Sequence, residues 1–204
     1  MSIILVRHGE TELNVARVLQ PADTPLGARG AAQAAAVARR LAGLGLAGIV
    51  SSDLPRALQT AAAIAAATGL PIQATPLLHE RNFGDLRGRP YDSLGFDPLA
   101  MEAAPSGGES FAAFRRRVAA AFAHAVRLRG GLDGPLVVVT HGLVIRALLG
   151  AQVALPAGAV MPERLGNTSV TIVSALPPHV ASVVDCTRHL GHADEDDMLS
   201  LSGG

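Results

Sequence analysis

The chain has 204 residues, and 49% of them are hydrophobic, which suits one α/β domain with a sizeable core. Its 17 basic and 17 acidic residues give a formal net charge of zero, so the charge does not indicate nucleic acid or an anionic membrane as a partner. The single cysteine, Cys186, excludes an internal disulfide, and no apolar run approaches the length of a membrane span.

The N-terminal residues do not have the pattern of a secretory signal. Arg7, His8 and Glu10 interrupt the apolar run before the hydrophobic region of such a signal could form. We therefore predict a soluble, cytoplasmic protein that has neither nucleic acid nor a membrane as a partner. No feature of the sequence indicates an oligomeric state.

The first part of the chain alternates between strand and helix patterns. Residues 3–6 form a continuous apolar run, which is typical of a strand buried on both faces. Thr24 has the character of a helix N-cap before Pro25, which predicts an alanine-rich helix from there to about residue 44. A further series of elements is predicted along the chain: a short strand at 49–51, a helix from about 55 to 68, and a brief strand around Ile72.

Residues 75–108 are the least regular segment of the chain. They are rich in glycine, proline and charged side chains and show no sustained helix or strand period. Long irregular segments inside an α/β domain often cover a ligand site. We predict that this segment is a substrate-covering loop or a small helical lid.

The second half of the chain returns to alternating elements. An amphipathic helix is predicted at 110–128, the strongest strand of the chain at 136–140, and a helix at 143–149. Residues 170–173 and 180–185 are predicted to form a closing pair of strands.

This element order predicts the fold class. Strands that alternate with helices favour a three-layer α/β sandwich around a mostly parallel, doubly wound central sheet. We expect residues 1–190 to form a single catalytic domain and the acidic tail, 191–204, to be mobile.

Several polar residues follow predicted strands and would therefore meet at one edge of the sheet. Arg7 and His8 follow the first strand, Arg56 follows the second, and His141 follows the strongest one. Glu80 lies in the irregular segment after the third strand. Two arginines and two histidines would neutralise a phosphate dianion, one imidazole could attack phosphorus, and a carboxylic acid could protonate an alkoxide leaving group.

These motifs resemble those of the histidine phosphatase superfamily, the phosphoglycerate-mutase-like fold. The most specific motif is LVRHGET at 5–11, with Asn14 six residues after the histidine. The similarity continues to the last predicted strands through four further segments: SSDLPRA at 51–57, ERNFG at 80–84, GGES at 107–110, and VTHG at 139–142.

The resemblance implies roles for particular residues. His8 would become the phosphohistidine, and Glu80 would protonate the leaving group and then help to activate water. His141 would belong to the catalytic set and would also bind the phosphoryl group. The remaining phosphate-binding residues would be Arg7, Arg56, Asn14 and Gly142. The resemblance implies a small phosphate ester as the partner, and neither a metal nor another cofactor.

The chain departs from the family pattern at two places, of which the second, at the mutase positions, favours hydrolysis over mutase activity. Many relatives have a glycine shortly after the Asn14 position, where this chain has Gln20 and Pro21, and proline has no N–H for a backbone contact to substrate. The positions of a mutase tyrosine and of its substrate-binding lysine fall on Phe83 and Tyr91, and the chain contains no lysine.

Several alternatives stay open at this point. Glu109, which we assign to a helix start, and Asp85 are rival carboxylates to Glu80. The glycine-rich stretch at 43–48 matches a dinucleotide fingerprint, but it follows a helix, so we interpret it as a helix stop. The spacing of Cys186, His189 and His192 resembles a metal site; we interpret it as a buried thiol, a structural histidine and an incidental one.

The hypothesis is a phosphatase that hydrolyses a small phosphomonoester without a metal, through a phosphohistidine. A phosphoglycerate mutase is the alternative with the same fold, and a non-catalytic binder of phosphorylated ligands is the alternative from another class. The identity of the substrate stays open because it depends on residues 75–108.

Overall fold

The computed structural model describes residues 1–191 and shows one six-stranded sheet with helices on both faces. The strands are β1 (Ser2–Arg7), β2 (Gly48–Ser51), β3 (Ile72–Ala74), β4 (Leu136–Thr140), β5 (Val170–Ser174) and β6 (Ala181–Cys186). The α-helices are α1 (Glu12–Val15), α2 (Ala28–Ala42), α3 (Pro55–Thr68), α4 (Phe111–Gly130) and α5 (Gly142–Ala151). The predicted tail lies, from residue 192 onward, outside the described residues.

The sheet has the order β3-β2-β4-β1-β5-β6. Neighbouring strands from β3 to β1 run parallel, whereas β5 is antiparallel to both β1 and β6. The predicted α/β class, with a mostly parallel sheet covered on both faces, is confirmed. The predicted closing pair forms the antiparallel edge of that sheet.

The central strand β1 shows why the sequence forms three layers. Its side chains alternate between the two faces, so Ile3 and Leu5 pack in a core that contains α4 and α5. Ile4 and Val6 pack in the opposite core with α2 and α3. The continuous apolar run is therefore explained by burial on both sides.

The helix predicted to begin at Pro25 starts three residues later, at Ala28, with Gly27 as its N-cap. The preceding N–H groups have partners outside the helix, because Leu26 donates to Gln59 Oε1 at 2.8 Å and Gly27 donates to Glu10 O at 3.0 Å. The prediction of the helix start was wrong because Gly27 has an extended backbone, with ψ of 174°, and contacts with distant residues hold residues 26 and 27 outside the helix.

The segment from residue 75 to residue 108 contains three short 3₁₀ turns in place of longer helices. They span Pro76–Leu78, Gly84–Leu86 and Tyr91–Ser93. The glycine-rich stretch at 43–48 follows α2 and ends it, as interpreted from the sequence. None of the described helices is long and apolar enough to cross a membrane.

Candidate active site

His8 follows β1 and is fully buried. Its Nδ1 lies 2.7 Å from the carbonyl oxygen of Gly9, and a carbonyl oxygen can only accept a hydrogen bond. The Nδ1 atom must therefore carry the proton. In the neutral imidazole this leaves the lone pair on Nε2, which is the form that a nucleophile needs.

The backbone around His8 is held by close packing against α2 and α3. Gly9 N donates to Thr60 Oγ1 at 3.0 Å. A Cβ at Gly9 would lie 2.5 Å from Gly30 O, and a Cβ at Gly30 would overlap Glu10 O. Both positions need glycine because two backbone segments touch here, and this contact fixes the loop that carries His8.

His141 lies beside His8 as the N-cap of α5. The two ring centroids are 5.1 Å apart, and His141 Nε2 lies 2.9 Å from Ser52 Oγ. Burial lowers the pKa of His141 well below its ordinary value, and the neighbouring charges, Arg56 first among them, lower it further. His141 is therefore neutral at physiological pH, and its Nδ1 has no hydrogen-bond partner among the described residues.

Two buried guanidinium groups belong to the same region. Arg7 donates from Nη1 to Leu165 O, and Arg56 donates from Nη1 to Pro21 O at 3.4 Å. Burial lowers the pKa of Arg56 to about 10, an effect that the carboxyl group of Glu80 opposes and nearby arginines reinforce. Two desolvated guanidinium groups in one buried region create a positive environment, which favours an anionic ligand.

Glu80 is buried in the same region, and backbone N–H groups bind both of its oxygens. Oε1 accepts from Arg81 N at 2.9 Å, and Oε2 accepts from Leu143 N at 3.1 Å. Burial raises the pKa of Glu80; the two N–H groups and the charges of Arg56 and Arg117 oppose that rise only in part. A carboxyl group with a raised pKa can hold a proton for donation.

The two rival carboxylates are engaged elsewhere. Glu109 forms a forked ion pair with Arg117, with contacts of 3.1 Å to Nε and 2.7 Å to Nη2. Arg117 also donates to the carbonyl oxygens of Leu77 and His79, so this pair braces the chain just before Glu80. Asp85 is exposed and accepts from a serine hydroxyl at 2.7 Å.

Asn14 and Gly142 complete the predicted set. Asn14 is buried and forms a capping box with Thr11, and its Nδ2 has no partner among the described residues. Gly142 is the buried first residue of α5, where helix N–H groups lack intrahelical acceptors. The structure brings both histidines together and places Arg56 close enough to Glu80 and His141 for its charge to lower the pKa of both.

Sequence reasoning missed two polar contacts to the histidines. Asn167 donates from Nδ2 to His8 O at 3.0 Å and lies 3.4 Å from Asn14 Oδ1. It follows an irregular loop and has no periodic signal. Ser52, which contacts His141, was visible only as part of the SSDLPRA motif.

The structure also locates the residues at the positions that differ from the family pattern. Phe83 and Tyr91 pack with Leu19 in a small separate core, so neither offers a cation to a substrate. Pro21 contributes its carbonyl oxygen, which accepts from Arg56.

The cysteine and histidine pattern near the C-terminus takes part in structural contacts. His189 lies 3.1 Å from Arg40 Nη1 and 3.0 Å from Thr168 Oγ1. Cys186 is half-buried rather than buried, because it ends the edge strand β6 beside Arg40. Within residues 1–191, no group of three or more histidine, cysteine or acidic residues could hold a metal ion, and His192 lies outside that range.

Comparison with known proteins identifies the family to which this chain belongs. The family model described as histidine phosphatase superfamily (branch 1) matches residues 3–181. The chain belongs to the histidine phosphatase superfamily. A curated relative, the probable phosphoglycerate mutase GpmB of Enterobacter sp. (strain 638), is 37% identical over 214 aligned residues, covering 98% of this chain and 99% of the relative.

Solved structures of several phosphatases have a fold similar to that of this chain. A mycobacterial glucosyl-3-phosphoglycerate phosphatase in complex with VO3 has a TM-score of 0.71 and 32% identity, covering 85% of this chain and 90% of that one. A putative alpha-ribazole-5'-P phosphatase from Escherichia coli has a TM-score of 0.78 and 28% identity, covering 92% and 97% respectively. The similar proteins thus carry both phosphatase and mutase names.

Proposed function

We propose that this histidine phosphatase hydrolyses a small phosphomonoester through a phosphohistidine at His8, without a metal. The observation that carries the proposal is the single tautomer of His8: with Nδ1–H bound to Gly9 O, the lone pair lies on Nε2 within a region of buried guanidinium groups. A nucleophile and a site for phosphate charge are therefore supplied by the same few residues.

In the first step, His8 Nε2 attacks phosphorus and the bond from phosphorus to the ester oxygen breaks. The ester oxygen takes the proton of Glu80 and leaves as an alcohol, so a phosphohistidine and a glutamate carboxylate remain. Arg7, Arg56 and neutral His141 stabilise the charge on the transferred oxygens, and we assign Asn14 and the N-terminus of α5 at Gly142 to the same task.

In the second step, water replaces the alcohol. The carboxylate of Glu80 takes a proton from water while the water oxygen attacks phosphorus. The bond between phosphorus and His8 Nε2 breaks, which releases inorganic phosphate and restores the starting enzyme. Glu80 therefore acts as an acid first and as a base afterwards, a sequence that its raised pKa supports.

A phosphoglycerate mutase is the second candidate, favoured by the names of curated relatives at 37% identity. Hydrolysis is supported by the side chains at the two mutase positions, because Phe83 and Tyr91 are buried in a core and the chain has no lysine. The cytoplasmic location, and the expectation of neither nucleic acid nor a membrane as a partner, stay predictions.

A labelling experiment tests the proposal. A panel of phosphate esters is incubated with enzyme and with a His8→Ala variant, in the presence of a metal chelator. We expect inorganic phosphate release and an acid-labile, base-stable phosphoprotein from the enzyme, and neither from the variant. Normal turnover by His8→Ala would refute the mechanism.

The same panel separates the alternatives. Conversion of 3-phosphoglycerate into 2-phosphoglycerate without net phosphate release, followed by phosphorus NMR, would identify a mutase. Binding of esters without any turnover would identify a non-catalytic binder. Loss of activity in chelator would contradict the absence of a metal.

A further inference from the structure

A cleft of about 660 Å³ opens next to Glu80. We call it the Glu80 cleft; its polar lining consists of the helix cap Ser110 and the side chains His79, Glu80, Asn82, Arg87, Glu109 and Arg117. Arg7 and Arg56 do not line it. Because the cleft adjoins the acid that protonates the leaving group, it is the place for the alcohol part of the substrate.

Most charged groups of the Glu80 cleft are neutralised or bound by the protein itself. Glu109 pairs with Arg117, and His79 pairs with Asp53. The oxygens of Glu80 accept from backbone N–H groups.

The uncharged polar side chains of the cleft also have internal partners. Asn82 donates from Nδ2 to Gly107 O at 3.1 Å and accepts from Gly84 N at 2.9 Å. Ser110 Oγ accepts from Ala113 N at 3.2 Å as the cap of α4. These groups shape the cleft, and because they are neutral they carry no charge that would compensate an anion.

Arg87 is the exception. Its side chain is half-buried and makes no hydrogen bond or ion pair with any residue in the described part of the chain. Burial lowers the pKa of its guanidinium, and its charge also helps to lower the pKa of Arg56. A guanidinium that loses water without gaining an acceptor destabilises the free protein, and an anion would remove that cost.

The backbone holds Arg87 in place from both sides. Before it, Gly84 has φ of +51°, and a Cβ there would overlap Ser106 O, so this turn fits closely against the neighbouring loop. After it, Gly88 N donates to Leu19 O at 2.6 Å, and Leu19 N donates to Arg89 O at 3.0 Å. The unpartnered cation is thus carried on an anchored loop, which lowers the entropy cost of binding.

We propose that Arg87 is a specificity-determining residue that binds a second anionic group, a carboxylate or a phosphate, on the alcohol part of the substrate. The inference rests on the proposed function, since it takes the Glu80 cleft as the leaving-group side. The forked guanidinium donors match the paired oxygens of either anion. We assign binding of the transferred phosphoryl group to Arg7 and Arg56, which do not line this cleft.

Three esters with one carbon skeleton test the proposal: 3-hydroxypropyl phosphate, 3-phosphonooxypropanoate, and propane-1,3-diyl bisphosphate. Their affinities are measured by calorimetry in a His8→Ala background, so that the result does not depend on turnover. We expect the two esters with a second anion to bind roughly 10- to 100-fold more tightly than the neutral one, the range for one charged hydrogen-bonded contact. Which of the two binds better distinguishes a carboxylate from a phosphate as the recognised group.

The decisive comparison is between Arg87→Gln and Arg89→Gln. Both variants remove one arginine from the same loop, but Arg89 is exposed and does not line the cleft. We expect Arg87→Gln to abolish the preference for the anionic esters and Arg89→Gln to retain it.

Three results would overturn the proposal. The first is equal binding of all three esters while Arg87 is present. The second is a preference for the anionic esters that survives Arg87→Gln. The third is an equal loss of affinity for all three esters in Arg87→Gln, which would place Arg87 on the transferred phosphoryl group. Failure of the proposed function is seen separately, as absence of phosphate release by the unsubstituted enzyme.

Discussion

Replacing Glu80 by glutamine tests the assignment of the general acid. The substitution keeps the shape of the side chain but removes the proton that the leaving alcohol needs. We expect Glu80→Gln to lower the rate for alkyl phosphate esters by roughly 10² to 10⁴, the usual range for general acid catalysis. For an aryl phosphate such as p-nitrophenyl phosphate the loss should be much smaller, because that leaving group departs without a proton.

The structure also predicts that Glu80→Gln lowers the free energy of unfolding. Both oxygens of Glu80 accept from backbone N–H groups, and a glutamine has only one acceptor oxygen. One buried N–H therefore loses its partner and faces an amide NH₂, which costs about 1 to 3 kcal/mol. For a protein of this size that corresponds to a fall of roughly 2 to 12 °C in Tm, which thermal unfolding measures.

The pH profile gives a second readout of the same group. The raised pKa of Glu80 means that the active, protonated form is present below that pKa and is lost as the pH rises through it. For alkyl esters, kcat/KM should therefore fall on the alkaline side of the raised pKa of Glu80. That alkaline limb should disappear in Glu80→Gln, which cannot ionise.

Glu109→Gln is the matched control. It breaks the forked ion pair with Arg117, which braces the chain before Glu80, so any loss of rate should be the same factor for alkyl and aryl esters. An equal loss for both esters in Glu80→Gln would refute its role as the acid. A loss restricted to alkyl esters in Glu109→Gln would transfer that role to Glu109.

Two further variants test the phosphate site and the loop that carries His8. Arg56→Ala should lower kcat/KM by roughly 10- to 100-fold and weaken inhibition by phosphate and vanadate, since one charged contact is lost; unchanged inhibition would remove Arg56 from the site. Gly30→Ala should overlap Glu10 O and cost about 1 to 3 kcal/mol in the free energy of unfolding, measured by denaturant titration. Its control is Gly150→Ala in α5, where a Cβ has open space and stability should not fall. Equal stability losses would show that the close approach at Gly30 is not the cause.

Local sequence patterns predicted the bounds of those elements that are determined by their own residues or by their immediate neighbours in the chain. The strand at 136–140 has the observed bounds because all five side chains are buried and apolar burial dominates its conformation. The helix at 55–68 also has its observed bounds, set by Pro55 at its first turn and by Gly69 in the left-handed conformation at its end. In both elements the deciding signals lie within the element or next to it.

The predictions that needed distant partners were incomplete. The start of α2 depends on Gln59 and Glu10, which no local pattern identifies. Asn167 reaches His8 across 159 positions of sequence, and Arg117 lies within a run of three arginines that looks like an ordinary charged helix face. Only the folded chain shows which arginine of that run braces Glu80.

The burial of the proposed active site also carries a cost for the folded protein. Within residues 1–191, Arg56 and His141 each keep a buried polar atom without a partner, and burial raises the pKa of Glu80. A phosphoryl group offers acceptors to the unpartnered donors and negative charge to the guanidinium groups, so it should relieve these costs together. A ligand that binds only the folded state raises the stability of that state. Substrate binding should therefore stabilise the protein through the same groups that destabilise the ligand-free site. On this reasoning, the two buried arginines, Arg7 at the end of β1 and Arg56 in the first turn of α3, are stabilised by an anionic ligand.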